Sequence, residues 1–377
     1  MQRVDYLLIG PSFPFRGGIA ETQNELAKSL ISLDKKVKLF TFKKLYPNFL
    51  FPGSTQLTSE SQPKGLDIET NLHSYNPLNW LKIARKINAI NPKFIVFRYY
   101  TPLLALCYFS IMFILKKEIK KIALVDNWTP HEPKFYDIFL NKLLTKKIDS
   151  YLTLSNKIYE ELIFESNFNV FSGFHPINSF LPKKISKSEA RKKLNWDINV
   201  PIILFYGLIR SYKGLDNLLI AFSKPPISLS NAKLAIVGEF YEPIKKYKLL
   251  IKKLKLEEKI YIIPKFADLN STQLFFSSSD VIALTYKSAT QSGVLPLAYN
   301  FEVPILTTNL VGLKTPIIND KSGLVCSNDP NEISKKLMEM LTLERKDFFI
   351  KKIKNSSKKY SWNEYSKQII NFLEQNN

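Results

Sequence analysis

Two cations lie three residues apart in Gly207-Leu208-Ile209-Arg210-Ser211-Tyr212-Lys213-Gly214. This segment follows the apolar run Ile202–Tyr206 and precedes a helical pattern, so it reads as a loop between a strand and a helix. Arginine offers a rigid fork to phosphate and lysine a point charge, so the pair suits a diphosphate; plain solvated loop charges have the same signature. Gly17-Gly18 follows the first apolar run and opens the first helical pattern. Two glycines let the backbone approach a ligand, and a helix N-terminus offers free N–H groups to an anion; a structural turn reads identically. The pattern is not Gly-x-Gly-x-x-Gly, which argues against a dinucleotide cofactor. Tyr286-Lys287-Ser288-Ala289-Thr290-Gln291-Ser292-Gly293-Val294 follows the run Val281–Leu284. Its small and hydroxyl residues either cap the next helix or leave its N–H groups for a phosphate. Asp126-Asn127-Trp128-Thr129-Pro130-His131-Glu132 follows the run Ile122–Val125. The histidines (His73, His131, His175) lack metal-ligand spacing, and no Gly-x-Ser-x-Gly elbow or Walker loop is present.

The elements that must position these residues alternate along the chain. Apolar runs at Val4–Gly10, Val37–Phe42, Phe94–Phe97, Ile122–Val125 and Tyr151–Leu154 are separated by helical patterns at Glu21–Ser32, Pro77–Ile90, Leu103–Leu115 and Asp137–Lys147. Runs without polar alternation predict strands covered on both faces, hence a parallel sheet between helices. The texture changes over Ser172–Ile198, which carries Gly173, Pro176, Pro182 and a lysine-rich stretch. A second series follows at Ile202–Tyr206, Leu234–Val237, Ile260–Ile263, Val281–Leu284 and Pro304–Thr307. The pattern predicts two tandem doubly wound, Rossmann-like α/β domains over 1–180 and 181–357, with a terminal helix over 358–377. Ligands of such folds sit at the carboxyl ends of strands, and the expected site is the cleft between the domains.

The chain has 377 residues, 45% hydrophobic and 23% charged, a core-forming composition long enough for two domains. Cys107 and Cys326 both lie in apolar runs and read as buried free thiols in a reducing compartment. Lysine plus arginine number 54 against 33 acids, a formal +21. Such a balance suits nucleic acid, an anionic membrane or phosphorylated small molecules, and no nucleic-acid motif supports the first. Met1 is followed at once by a strand-like run with no cleavage site. Leu103–Leu115 falls short of the ~20 residues that cross a bilayer and reads as a buried helix.

The sequence resembles the GT-B glycosyltransferases of the large retaining group called family 4. Gly17-Gly18-Ile19-Ala20 matches that group's N-terminal Gly-Gly loop, and Gly207, Arg210, Lys213 and Gly214 match its Gly-Arg…Lys-Gly segment. Phe301-Glu302-Val303-Pro304-Ile305 through Val311-Gly312 resembles its Gly-x-Pro-Val…Gly-Gly segment. The stretches Tyr46–Gly53 and Ala289-Thr290-Gln291-Ser292-Gly293 resemble a bacterial subgroup found in surface-polysaccharide gene clusters. One departure stands out: the group's Glu-x7-Glu pair aligns with Ala289 and Leu297, neither of which can accept a hydrogen bond through its side chain.

The resemblance implies a GT-B fold with an acceptor-side first domain, a donor-side second domain and a terminal helix crossing back onto the first. It implies retaining transfer from a nucleotide-diphosphate sugar, UDP or GDP type, to a hydroxyl acceptor, without a cofactor or metal. Arg210 and Lys213 would stabilise the departing diphosphate, and His131 would lie near the transferred sugar. Gly17, Gly18 and Gly207 would allow close approach of backbone. Lys265 and Phe266 would meet the nucleobase, with Glu239 lining the same pocket. Thr290, Gln291, Ser292, Gly293 and Val294 would take over the sugar contacts of the missing glutamates. A lipid-linked or oligosaccharide acceptor is expected, and no nucleic acid. Lys43–Pro52, where two cations adjoin large apolar side chains, and the basic helical patterns Asn141–Lys147 and Lys245–Lys255 suggest a cytoplasmic protein docking on the anionic inner face of the plasma membrane; a soluble basic enzyme with solvated surface helices has the same pattern. The alternative is an inactive sugar-nucleotide-binding module of the same fold.

Overall fold

Successive residues of a strand point to opposite faces, so a strand apolar throughout needs cover on both sides. Tyr6-Leu7-Leu8-Ile9 is such a strand: Leu7 and Ile9 enter one core cluster, Tyr6 and Leu8 another. A computed structural model describes residues 3–45, 57–58, 61–129, 134–165, 167–289 and 291–375. The chain divides into two compact units, residues 1–178 with 362–377, and residues 179–361.

The first unit runs β1 (Tyr6–Ile9), α1 (Gly18–Ser32), β2 (Val37–Lys44), β3 (Ile68–His73), α2 (Pro77–Ile90), β4 (Phe94–Tyr99), α3 (Ala105–Ile114), β5 (Lys120–Val125), α4 (Asp137–Thr145), β6 (Ser150–Thr153), α5 (Asn156–Glu165) and β7 (Val170–Phe171). Among the described residues these strands form one seven-stranded parallel sheet, ordered β3-β2-β1-β4-β5-β6-β7. One face packs on α2, α3, α4 and α5 through residues such as Trp80, Tyr108, Leu144 and Leu162. The other packs on α1 and on the last helix of the chain, through Leu26, Leu30, Trp362, Tyr365 and Ile369.

The second unit runs α6 (Lys187–Leu194), β8 (Ile202–Tyr206), α7 (Leu215–Phe222), β9 (Lys233–Val237), α8 (Ile244–Lys253), β10 (Ile260–Ile263), α9 (Leu269–Ser278), β11 (Val281–Leu284), α10 (Val294–Asn300), β12 (Ile305–Thr308), α11 (Val311–Asp320), β13 (Gly323–Cys326), α12 (Pro330–Met340) and α13 (Leu343–Ser357). Its sheet is parallel, six-stranded among the described residues and ordered β10-β9-β8-β11-β12-β13. The chain then returns to the first unit as α14 (Trp362–Gln375). Two doubly wound, Rossmann-like domains are therefore present.

Several expectations shift. The breaks expected after 180 and 357 fall after 178 and 361. Lys359 and Tyr360 stay with the second unit because both bind the buried Asp320 carboxylate. β3, β7 and β13 escape the sequence pattern because each borders the sheet, where a strand needs neither length nor two apolar faces. The Leu103–Leu115 helix is not buried throughout: Cys107, Tyr108 and Ile111 face the sheet, while Leu106 and Phe113 are exposed. Among the described residues no helix is long and apolar enough to cross a membrane. Both cysteines are free and buried.

Candidate functional site

In each sheet the strand order reverses where the first strand of the unit meets a later one, at β1/β4 and at β8/β11. Connections leave to opposite faces there, opening a crevice at the carboxyl ends. The second unit places its cations at that point. β8 ends in Gly207, whose φ of 102° suits glycine and whose added Cβ would stand 2.8 Å from Lys213 Nζ. Gly238, after β9, comes closer still: a Cβ would meet the Gly207 carbonyl oxygen at 1.8 Å. The loops are stitched at this edge, since Gly207 N–H donates to Val237 (3.0 Å) and Ile209 N–H to the carbonyl of Glu239 (2.8 Å).

Lys213 is the chemical centre of this edge. It is only 7% exposed, so the alternative of plain solvated loop charge does not describe it. Its Nζ lies 5.4 Å over the Tyr286 ring. Among the described residues no carboxylate pairs with it. Burial pushes its pKa below the ordinary lysine value; nearby Tyr212 raises it and nearby Arg210 lowers it further. Arg210 is exposed, its guanidinium 4.7 Å over the Tyr241 ring. A buried ammonium without a counterion costs free energy unless an anion arrives.

β11 brings the opposite wall. The Gly214 carbonyl accepts from the Thr285 hydroxyl (3.2 Å), and a Cβ on Gly214 would meet the Thr285 carbonyl at 2.0 Å. Lys287 N–H donates to the Tyr212 carbonyl (2.6 Å), and its ammonium pairs with Asp216 (2.6 Å). Tyr286 joins the two segments: its ring lies under Lys213 and its hydroxyl reaches Ser292 Oγ at 3.1 Å. Ser292 Oγ also accepts from Val294 N–H at 3.2 Å. Gly293 immediately precedes α10, which has no side-chain cap, and the Ser292 hydroxyl closes a local turn before it. Gly293 is exposed and Gln291 half-buried. Thr290 lies outside the described residues. Glu239, Lys265 and Phe266 follow β9 and β10 on the same edge, all exposed, Phe266 at 73%.

The first unit builds its edge around a buried ion pair. Arg98, near the end of β4, meets Asp126 through Nε (2.5 Å) and Nη2 (2.6 Å). Nη2 also donates to Thr22 Oγ1 (2.9 Å), whose own hydroxyl donates to the Gly18 carbonyl (2.7 Å). The pair thereby fixes the first turn of α1, where Gly17 (φ 100°) precedes the helix and open space surrounds both glycines. Asn141 of α4 accepts from the Tyr99 hydroxyl (2.6 Å) and donates to the Trp128 carbonyl (3.0 Å), holding the loop after β5. His131, farther along that loop, lies outside the described residues, as do residues 46–56 of the aromatic segment. His175 donates through Nδ1 to the Pro176 carbonyl (3.1 Å). Burial holds its pKa below the usual histidine value.

Arg98 and Tyr286 carry structure at these edges and were not candidates from sequence. Arg98 sits inside an apolar strand, where the one charge in a buried run was the available signal. Among the described residues no group of histidine, cysteine or carboxylate side chains could hold a metal.

Residues 186–360 match the family model described as glycosyl transferases group 1. No curated protein matches the chain. Among solved structures, HepE of Anabaena in complex with UDP is similar over 99% of this chain and 100% of its own, with 14% identity and a TM-score of 0.74. Sucrose-phosphate synthase of Thermosynechococcus elongatus is similar over 98% of both chains, at 15% identity and a TM-score of 0.73. WaaG, a glycosyltransferase involved in lipopolysaccharide biosynthesis, covers 97% of this chain and 99% of its own, at 15% identity and a TM-score of 0.65. The fold is that of the GT-B glycosyltransferases, and the match to the second unit supports a glycosyltransferase.

Proposed function

We propose that the protein transfers a sugar from a nucleoside-diphosphate sugar to a hydroxyl acceptor, with retention of anomeric configuration and without a metal. Lys213 carries this reading: a buried ammonium without a carboxylate partner among the described residues, at the strand-order reversal of a sheet that matches a glycosyltransferase family. Leaving-group charge on a diphosphate is what such a cation stabilises, with Arg210 beside it. HepE binds UDP and UDP-glucose in this fold, which makes a uridine nucleotide the first donor to test. Lys265 and Phe266 are the proposed nucleobase contacts, Gly293 and Gln291 the proposed sugar contacts, Gly17 and Gly18 the proposed backbone approach to the diphosphate or acceptor, and His131 the proposed contact to the transferred sugar or the acceptor. The acceptor is a lipid-linked or oligosaccharide hydroxyl in cell-surface polysaccharide or glycolipid synthesis, on the inner face of the plasma membrane.

A panel of UDP- and GDP-sugars, read by thermal shift and then by nucleotide release with and without acceptor, tests this. Turnover should survive chelator and fall about a hundredfold in Lys213→Ala, the loss of one cationic contact worth ~3 kcal/mol. Ala289 and Leu297, in place of two glutamates, favour the inactive binding module as the second reading. A donor that binds tightly and is neither transferred nor hydrolysed would establish it.

A further inference from the structure

α3 and α4 lie side by side on one face of the first unit's sheet, and both carry apolar side chains outward. Leu103, Leu106 and Phe113 recur at spacings of three and seven, placing them on one stripe of α3 and the turn before it. Leu103 and Leu106 are half exposed and Phe113 is 67% exposed. At the start of α4, Phe135, Ile138 and Phe139 are 93%, 67% and 69% exposed. The starts of the two helices are neighbours, for α4 packs against α3 and against the turn Pro102–Leu104 that precedes it, while at their far ends Lys147 Nζ lies 5.1 Å over the Phe113 ring. An apolar strip this prominent on a charged protein marks an interaction surface.

The charges around it name the partner. Lys116, Lys117, Lys134, Lys142 and Lys146 are exposed on the same segments, and none pairs with a carboxylate among the described residues. Three acids on the same described segments, Glu118, Asp137 and Asp149, stand against these five lysines, and Asp137 and Asp149 are turned to the backbone N–H groups of Lys134 and Lys121. A second copy of this chain would set the same lysines against each other across a two-fold interface. An anionic bilayer complements both features: aromatic and aliphatic side chains enter the interface while lysine stems reach to the headgroups.

The geometry points to the α3–α4 face as the surface that docks the protein on an anionic lipid bilayer. Parallel strands return through helices, so α3 and α4 both begin at the carboxyl edge of the sheet, where Leu103, Leu106, Phe135, Ile138 and Phe139 lie; Phe113 is at the other end of α3. Asn141 ties α4 directly to the loop after β5 at that edge. A lipid-linked acceptor would thus arrive beside the loop that carries His131. That use rests on the proposed function; the docking itself does not.

Co-sedimentation of the full chain with vesicles of phosphatidylcholine, and of equal parts phosphatidylcholine and phosphatidylglycerol, tests the assignment. Binding should require phosphatidylglycerol and fall with salt. It should weaken by about tenfold or more in Phe135→Ser/Phe139→Ser and in Lys142→Glu/Lys146→Glu. Phe164→Ser, an equally exposed phenylalanine on α5, should bind as the parent does. Far-UV circular dichroism of each variant establishes that it is folded. Equal binding to both vesicles, undiminished binding of the folded double variants, or a concentration-dependent dimer abolished by the phenylalanine changes would overturn the assignment. UDP and GDP affinities are measured separately on the same proteins. Absence of affinity for both UDP and GDP would sink the proposed function and leave the docking result standing.

Discussion

Lys213 is held where a lysine is least comfortable, and that discomfort makes opposite predictions for stability and binding. Its folded pKa is lowered by burial, so the charged form is disfavoured in the folded state relative to the unfolded one. The penalty is present at neutral pH and relieved as pH rises through the lowered pKa. Lys213→Met should remove it, raising the thermal midpoint by about 2–4 °C for each kcal/mol recovered while UDP binding is lost. A calorimetric scan showing a lowered midpoint would refute the stored penalty. UDP affinity of the parent should fall as pH rises into the range where Lys213 loses its proton, below that of ordinary lysines. Lys213→Arg should flatten this profile, since its guanidinium keeps its charge. Tyr286 is the positioning residue beneath. Tyr286→Phe keeps the ring and should cost about 1 kcal/mol of stability, whereas Tyr286→Leu removes the cation–π contact and should weaken UDP binding about tenfold. Equal UDP affinities of the two variants would remove that role. The sequence displayed Arg210 and Lys213 as a pair, but a three-residue spacing in a loop carries no burial information. The pairing with Tyr286, 73 residues on, arises only when β11 lies beside β8.

At the scale of elements, legibility followed burial. β1, β4, β5, β8, β9 and β11 were readable because central parallel strands need apolar residues on both faces. Their carboxyl ends carry the candidate residues, so the site's location could be read along with them. β3 was not, because Glu69, Thr70, Asn71 and His73 leave Ile68 and Leu72 as the only apolar residues of a strand that borders the sheet and is mostly half-buried. The exposed stripe of α3 was hidden for the converse reason. A helix apolar all round reads as buried, and nothing in its composition tells the covered side from the bare one. The loop ends depend on close approach of backbone. Gly238→Ala should fail, because a Cβ there stands 1.8 Å from the Gly207 carbonyl, backbone that cannot swing aside. We expect about 3 kcal/mol or more of destabilisation and loss of UDP binding. Gly18→Ala should be tolerated for folding, since nothing lies within 4 Å of its Cβ, and a fall in turnover of the folded variant would then report a ligand's close approach to this loop.

At the scale of the molecule, the chain belongs to its first unit twice, as residues 1–178 and again as α14. The sequence showed an amphipathic terminal segment, but an apolar stripe does not say which sheet it covers. The structure answers through particular contacts. Tyr365 donates to the Thr153 carbonyl at the end of β6 (3.1 Å) and packs edge-on against Phe171 and Phe174. Trp362 donates to Asn178 Oδ1 (2.9 Å), and Ile369 and Leu373 join the cluster of Leu26 and Leu30. Five side chains of α14 are buried there, each worth about 1.5–3 kcal/mol of transfer free energy. Their sum is comparable to the whole stability of an ordinary domain of ~5–15 kcal/mol. The last helix is thus part of the first unit's core and not an appendage of the second. Tyr365→Ala should therefore cost about 3–5 kcal/mol, and the loss should be local. Hydrogen exchange read by mass spectrometry should show α1, β1 and β6 losing protection while β8, β9 and β11 keep theirs. Uniform loss across both sheets would mean that the two units unfold as one, and protection lost only in β8–β13 would mean that α14 serves the unit it follows in sequence.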